Sequence, residues 1–161
     1  MGTEAGAPAS YATHEVINQS GPIAEYNAFD RDPVLKAATE RGGASWARDR
    51  LSAYGAIIGS ERMTLLARQA NRNLPELKTF DRFGNRIDEV DFHPAYHECM
   101  TLIFGHDVHS LAWKDERRGA HVARGILSYL ANQGEQGVCC PMGMTFAGVP
   151  AIRSLPQLAQ Q

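Results

Sequence analysis

Residues 119–134 read Gly119-Ala120-His121-Val122-Ala123-Arg124-Gly125-Ile126-Leu127-Ser128-Tyr129-Leu130-Ala131-Asn132-Gln133-Gly134. Val122, Ile126, Tyr129 and Leu130 recur at near-helical spacing, so this stretch predicts a long helix with one apolar stripe. Gly119 or Ala120 begins it, and Gly134 and Gly137 end or bend it. A long amphipathic helix of this kind needs other helices to cover its stripe, and the flanking sequence supplies them.

Upstream, Asp32-Pro33 is a helix start: an aspartate as N-cap, then a proline whose φ is already set for the first turn. That helix carries Val34, Leu35, Ala37 and Ala38 and stops at Gly42-Gly43. A second helix is expected from about Ala44, with Trp46, Leu51, Tyr54 and Ile58 sharing a face. Gly59-Ser60 ends it and caps a third, over about Glu61 to Ala70, with Leu65, Leu66 and Gln69 in its middle. Asn71, Asn73 and Pro75 close that one. Residues 77–92 change character. Two short runs flank Gly84-Asn85, which predicts an exposed β-hairpin, although Ile87, Val90 and Phe92 do not alternate cleanly. Helical logic returns from Pro94 to Phe104, with Gly105 after it. Leu111, Ala112 and Trp113 form an apolar knot before the mixed-sign run Lys114–Arg118, read as solvated. Beyond Val138 the chain is divided by Pro141, Pro150 and Pro156, and a packed helical segment is expected from Pro141. The fold class is therefore mainly α with one short β-hairpin. The expected division is an extended leader over 1–29 and a helical domain over 30–161.

The chain has 161 residues, enough for about one domain. Sixteen Lys and Arg against eighteen Asp and Glu give a net charge of −2. That balance argues against non-specific nucleic-acid binding and against a polybasic membrane surface. The three cysteines, Cys99, Cys139 and Cys140, are odd in number and two are adjacent. Such a set is not a disulfide framework, and a reducing, cytoplasmic compartment is expected. Met1 to Ala12 lacks the charged and apolar regions of a signal peptide, and no run is long enough to span a membrane.

Four histidines, His93, His97, His106 and His109, crowd 17 residues. His93 and His97 stand at i, i+4, a spacing that can chelate a metal. Pro94 replaces the glutamate of the catalytic zinc pattern, however, and His93 falls at a helix start. Capping or structural roles are the preferred reading, and no metal ligands are assigned. Cys139-Cys140 lacks a CxxC spacing and reads as buried small hydrophobes. No GxGxxG, GxxxxGK[ST] or GxSxG occurs, so no dinucleotide turn, P-loop or nucleophile elbow is present. Trp46, Trp113 and the other aromatics are expected in the core. Residue types and spacing alone identify no reaction.

Five segments add more. Thr13-His14-Glu15-Val16-Ile17-Asn18-Gln19 opens the series. Asn73-Leu74-Pro75-Glu76-Leu77, Phe92-His93-Pro94-Ala95-Tyr96-His97, Val108-His109-Ser110-Leu111-Ala112-Trp113 and Cys140-Pro141-Met142-Gly143-Met144-Thr145-Phe146-Ala147 follow in order. Together they resemble the AidB proteins, the alkylation-response branch of the acyl-CoA dehydrogenase superfamily, over roughly residues 13–157.

The resemblance implies the N-terminal helical domain of a flavoprotein whose later parts are a β-barrel and a C-terminal helical bundle. In the intact protein it implies FAD, weak oxidation of acyl-CoA thioesters by α-proton abstraction and β-hydride transfer to flavin, and protection of DNA during alkylation stress. The family's flavin-binding Thr-Glu segment, its catalytic glutamate and its basic DNA-binding surface have no matching positions here. No catalytic and no cofactor-binding residue is therefore assigned. The chain alone is expected to lack dehydrogenase activity and to bind no FAD by itself. Its expected partners are the remaining flavoprotein domains or the subunits of a homo-oligomer, with acyl-CoA in the intact protein, DNA through a region absent here, and no membrane. The last long helix of this domain lines the acyl pocket in acyl-CoA dehydrogenases. By resemblance, Tyr129, Leu130, Gln133 and Gly134 are the candidates for that wall; ordinary helix packing with a C-cap glycine suits the same four equally. The alternative to an enzyme part is a helical docking module.

Overall fold

The computed structural model describes residues 13–155 and 157. The readings of Met1–Ala12 and of Pro156 lie outside the described residues. Seven helices and one hairpin make up the described chain.

α1, Pro33–Arg41, starts as expected: Asp32 Oδ1 accepts from Val34 N at 2.8 Å and Leu35 N at 3.0 Å. These bonds satisfy two of the amides that a helix start leaves open. The chain turns at Gly42 and at Gly43, whose φ is +72°. The expected second helix starts later than Ala44. A 3-10 turn, Ser45–Ala47, comes first, and α2 spans Arg48–Ile58. Trp46 thus lies on the turn, with its indole N–H donating to Arg118 O at 3.0 Å. α2 buries Leu51, Tyr54, Gly55 and Ile58, a single helical face.

Residues 26–29 lie along α2 as a strap. Tyr26 N donates to Gly59 O at 3.2 Å and Ala28 N to Gly55 O at 3.0 Å. The two glycines permit this approach. A Cβ at Gly59 would stand 1.8 Å from the Tyr26 carbonyl oxygen, and one at Gly55 2.6 Å from Phe29 N. Phe29 is fully buried as a result.

α3, Glu61–Arg72, is capped by Ser60, whose hydroxyl accepts from Met63 N at 3.1 Å. It buries Met63 and Leu66 against the body, while Leu65 remains half exposed. β1, Glu76–Phe80, and β2, Arg86–Asp91, form the expected antiparallel hairpin. Leu77 faces Val90 and Lys78 faces Glu89, after which the register shifts. Asp88 has φ +48° within the shift, which is why the apolar residues do not alternate.

α4, Pro94–Gly105, begins at His93, whose Nδ1 accepts from Ala95 N at 3.2 Å. The capping role expected for this histidine is what the geometry shows. Gly105 is the last helical residue instead of the first beyond the helix. The short α5, Leu111–Lys114, leads into α6, Ala120–Gly134, the central helix. α6 buries Ala120, Ala123, Ile126, Leu127, Leu130 and Ala131, and it packs on α1, α2, α3 and α5. Each fully buried leucine of this kind contributes about 1.5–3 kcal/mol over its exposed state.

α7, Cys139–Arg153, overturns the expectation of a helix beginning at Pro141. It starts two residues earlier because Glu135 Oε1 and Oε2 accept from Gly137 N and Val138 N at 2.9 and 2.8 Å. It also runs through Pro150 instead of being divided there. Met142 alone in α7 is fully buried, and Met144 is 70% exposed. Among the described residues no helix is long and apolar enough to cross a membrane.

Candidate functional site

α6 places its four candidate residues in different surroundings. Leu130 is buried and belongs to the core. Gly134 is a packing position: a Cβ there would meet Ile58 Cδ1 at 3.0 Å and Met63 Cε at 3.2 Å. Tyr129 is 52% exposed and Gln133 is exposed as well. One turn apart on the same helix, these two stand side by side. They bring a phenol and an amide to the surface, and Leu130 and Gly134 hold the helix beneath them.

A second cluster joins two of the quoted segments, and its role is not visible in the spacing of either. Trp113 and Phe146 stack with ring centres 4.8 Å apart, and the Trp113 indole donates to Phe146 O at 3.0 Å. His121 meets Trp113 edge to face at 5.0 Å. The Arg124 guanidinium lies over the Phe146 ring at 3.9 Å, and its Nε donates to Val108 O at 2.9 Å. Burial pulls the Arg124 pKa below the usual arginine value. Arg153 spans from Glu116, at 2.7 Å, to the Trp113 ring. Only the placement of α7 across α5 and α6 makes this cluster, so neither segment alone announces it.

The other histidines sit apart from one another in role. His106 Nδ1 is 2.7 Å from Leu102 O, and its ring lies 4.6 Å from Tyr54. His109 packs edge to face on Phe104 at 4.5 Å, and desolvation pushes its pKa below the usual value. His97 is exposed beside Phe92 and Tyr96. Among the described residues no three His, Cys, Asp or Glu converge on a possible metal position.

The cysteines split. Cys99 is fully buried, and burial pushes its thiol up to about 11. Cys139 donates its S–H to Glu135 O at 3.2 Å and is also pushed up to about 11 by burial. Cys140, expected to be buried with its neighbour, is exposed, because successive residues of a helix point about 100° apart.

Three clefts mark the surface. One of about 370 Å³ lies between α2, α3 and α4, lined by Ala56, Ile57, Met63 and Leu102 with Ser60 and Arg62 at its polar side. One of about 480 Å³ lies at the base of the hairpin, and one of about 250 Å³ beside Trp113 and His121. No glycine lines any of the three.

The chain is similar to known proteins along nearly its whole length. The family model for the "Adaptive response protein AidB N-terminal domain" matches residues 18–161. The putative acyl-CoA dehydrogenase AidB of Escherichia coli (strain K12) is 42% identical over 143 residues, covering 88% of this chain and 26% of that protein. Acyl-CoA dehydrogenase family member 11 of Caenorhabditis elegans is 29% identical over 155 residues, covering 91% of this chain and 24% of that protein. The chain thus spans about a quarter of the length of these relatives. The crystal structure of Caenorhabditis elegans ACDH-11 in complex with C11-CoA superposes with a TM-score of 0.75 at 24% identity, covering 94% of this chain and 27% of that one. The structure described as "Bd2924 apo-form" gives 0.74 at 22% identity, covering 86% and 28%. These two likenesses establish the fold. The family match establishes more: the chain belongs to the family of the AidB N-terminal domain.

Proposed function

We propose that this chain supplies one wall of an acyl-CoA cleft in an AidB-like flavoprotein that acts in the alkylation response of the cytoplasm. Tyr129, Leu130, Gln133 and Gly134 form that wall. Tyr129 and Gln133 present the contact surface, and Leu130 and Gly134 fix its position. The observation that carries this reading is the Tyr129–Gln133 pair on the exposed face of α6, a face it shares with His121, Gly125 and Asn132, opposite six buried residues. An aromatic face with one amide suits an acyl chain and its thioester end. The Caenorhabditis elegans neighbour, solved with C11-CoA, supports the substrate class. FAD, the reacting carboxylate and the DNA-binding surface belong to further domains of the intact family protein, so the chain alone has no dehydrogenase activity.

The test has two arms. The purified 161-residue chain is examined for a flavin absorbance spectrum. Stoichiometric bound flavin in that chain overturns the reading. In a full-length family protein carrying this domain, Tyr129→Ala and Gln133→Ala are expected to weaken acyl-CoA binding and leave the flavin spectrum unchanged. Unaltered acyl-CoA affinity in both variants removes these residues from the wall.

A second reading is favoured by the hairpin. Leu77 is 61% exposed and Phe83 76% exposed, and Phe80 and Val90 are exposed beside them. An apolar ribbon of this kind suits a docking module that joins partner domains or subunits of a homo-oligomer. Sedimentation showing a clean monomer that binds no apolar dye counts against it.

A further inference from the structure

Residues 13–25 are all exposed, and residues 13–17 run straight, with no turn or bend. Thr13, Val16 and Ile17 are residues that favour extended backbone, and Val16 and Ile17 are 62% and 84% exposed. Among the described residues no backbone hydrogen bond ties 13–24 to another element. The chain bends at residues 18–19 and is first held at Glu25, whose Oε1 accepts from Glu61 N at 2.8 Å at the start of α3. A second exposed element stands at the far end of α3. Every residue of β1 and β2 except Thr79 is exposed. A two-stranded ribbon by itself is marginal in water, and a third strand stabilises it. The two outer edges of the ribbon are unlike. β2 carries the extra residue of the register shift, with Asp88 at φ +48°, and such a bulge spoils an edge for further pairing. β1 has no positive φ and no proline, and its five residues match residues 13–17 in number.

We propose that residues 13–17 add to the outer edge of β1 as a third, antiparallel strand, a strap that closes on the ribbon of its own molecule. The lengths fit. α3 has 12 residues and separates Glu61 from the ribbon base by about 18 Å. Residues 18–24 span up to about 23 Å when extended, enough to run from Glu25 along α3 to that base. β1 leaves the base and the strap returns to it, so the two are antiparallel. Ile23, 80% exposed, lies two residues from Glu25, within reach of the apolar cleft whose polar residues Ser60 and Arg62 flank Glu61. The side chains set the register. Leu77 and Val90 are opposite each other and share one face of the ribbon, and Ile87 joins them because its neighbour Arg86 pairs with Phe80 on the other. That other face carries Glu76, Lys78, Glu89 and Asp91, with Lys78 and Asp91 in an ion pair. Val16 opposite Leu77 sets Glu15 opposite Lys78, and all five strap residues find partners, from Thr13 at Phe80 to Ile17 at Glu76. A slip of one residue would put Glu15 on the apolar face. The strap is independent of the acyl-CoA reading, and it widens the apolar face of the ribbon by Val16.

The test uses the full 161-residue chain. Hydrogen exchange in the wild type comes first. Alternate amides over residues 13–17 are expected to exchange at least tenfold more slowly than in a free peptide of the same sequence. Exchange at the free-peptide rate throughout that stretch overturns the proposal. The second arm combines Val16→Cys with Leu77→Cys in a chain carrying Cys140→Ser, all at exposed positions, and oxidises it mildly. The expected product is a monomer with an internal disulfide. It should form at least tenfold faster than in a control pairing Val16→Cys with Val34→Cys, whose second site is exposed in the first turn of α1. Equal rates in the two pairs mean a leader that samples the whole surface, and a disulfide-linked dimer means an arm given to another copy. Either result overturns the strap, as does the absence of any disulfide between the two sites.

Discussion

Arg50 on α2 reaches the carboxylate of Asp107 at 2.7 Å and so ties α2 to the turn that follows α4. Lys114 reaches the other carboxylate oxygen at 2.6 Å, and Ser110 adds a hydroxyl at 3.0 Å. Burial alone would raise the Asp107 pKa. The bonds from Lys114, Arg50 and Ser110 outweigh it and hold the group well below the usual carboxylate range. Its folded value is therefore depressed, and its stabilisation is present above the unfolded value of about 3.9 and fades as pH falls toward the folded value. Asp107→Asn is expected to cost about 1–2 kcal/mol at neutral pH, with both cations partly solvated. Urea unfolding should show the gap to wild type narrowing below pH ~4. A constant gap across that window contradicts the assignment.

Gly59 and Gly125 predict opposite outcomes for the same substitution. Gly59→Ala forces a methyl against the Tyr26 carbonyl, 1.8 Å away, and the strap must lift. A loss of about 1–3 kcal/mol is expected, with faster hydrogen exchange at Tyr26 and Ala28. Gly125 lies inside α6, and a methyl added there would meet nothing within 4 Å, so Gly125→Ala should stabilise the chain by about 0.4–1 kcal/mol. Thermal melts of the two variants separate these outcomes.

Leu130 and its neighbour Tyr129 divide structure from surface. Leu130→Ala should cost about 2–5 kcal/mol through the cavity it leaves. Tyr129→Ala should stay within about 0.5 kcal/mol of wild type, because the ring is half in solvent. A large loss for Tyr129→Ala would show that its ring packs as core.

The thiols should react in order of exposure. Cys140 is expected to be alkylated first under native conditions, and Cys99 only with denaturant. Cys139 falls between, because its thiol is both half-buried and pushed up to about 11. Peptide mapping after timed iodoacetamide treatment checks the order, and early labelling of Cys99 would refute it.

Much of the fold was legible because its punctuation is local. Asp32, Ser60 and His93 each satisfy amides within three residues, and Gly84, at φ +86°, turns the hairpin. What escaped the sequence depends on distant partners. Glu135 initiates α7 by accepting from Gly137 and Val138, and it also accepts from Asn71 at 3.0 Å, sixty-four residues away. No pattern near Pro141 reveals that. Tyr26–Phe29 reads as leader until Gly55 and Gly59 are seen beneath it. The candidate wall was named by family resemblance, and its division into two surface and two interior residues needed the helix packing.

The hairpin tip has a practical use. Asp81 accepts from Phe83 N and Asn85 N at 2.8 and 2.9 Å, closing the turn on itself, and a methyl at Gly84 would touch nothing within 4 Å. Extra residues spliced in there disturb one self-contained loop and cost only its closure entropy, roughly 0.6 kcal/mol per doubling of length. An epitope or a spectroscopic label grafted beside Gly84, which itself stays glycine at φ +86°, would report on the ribbon without touching the helices that hold Tyr129 and Gln133 in place.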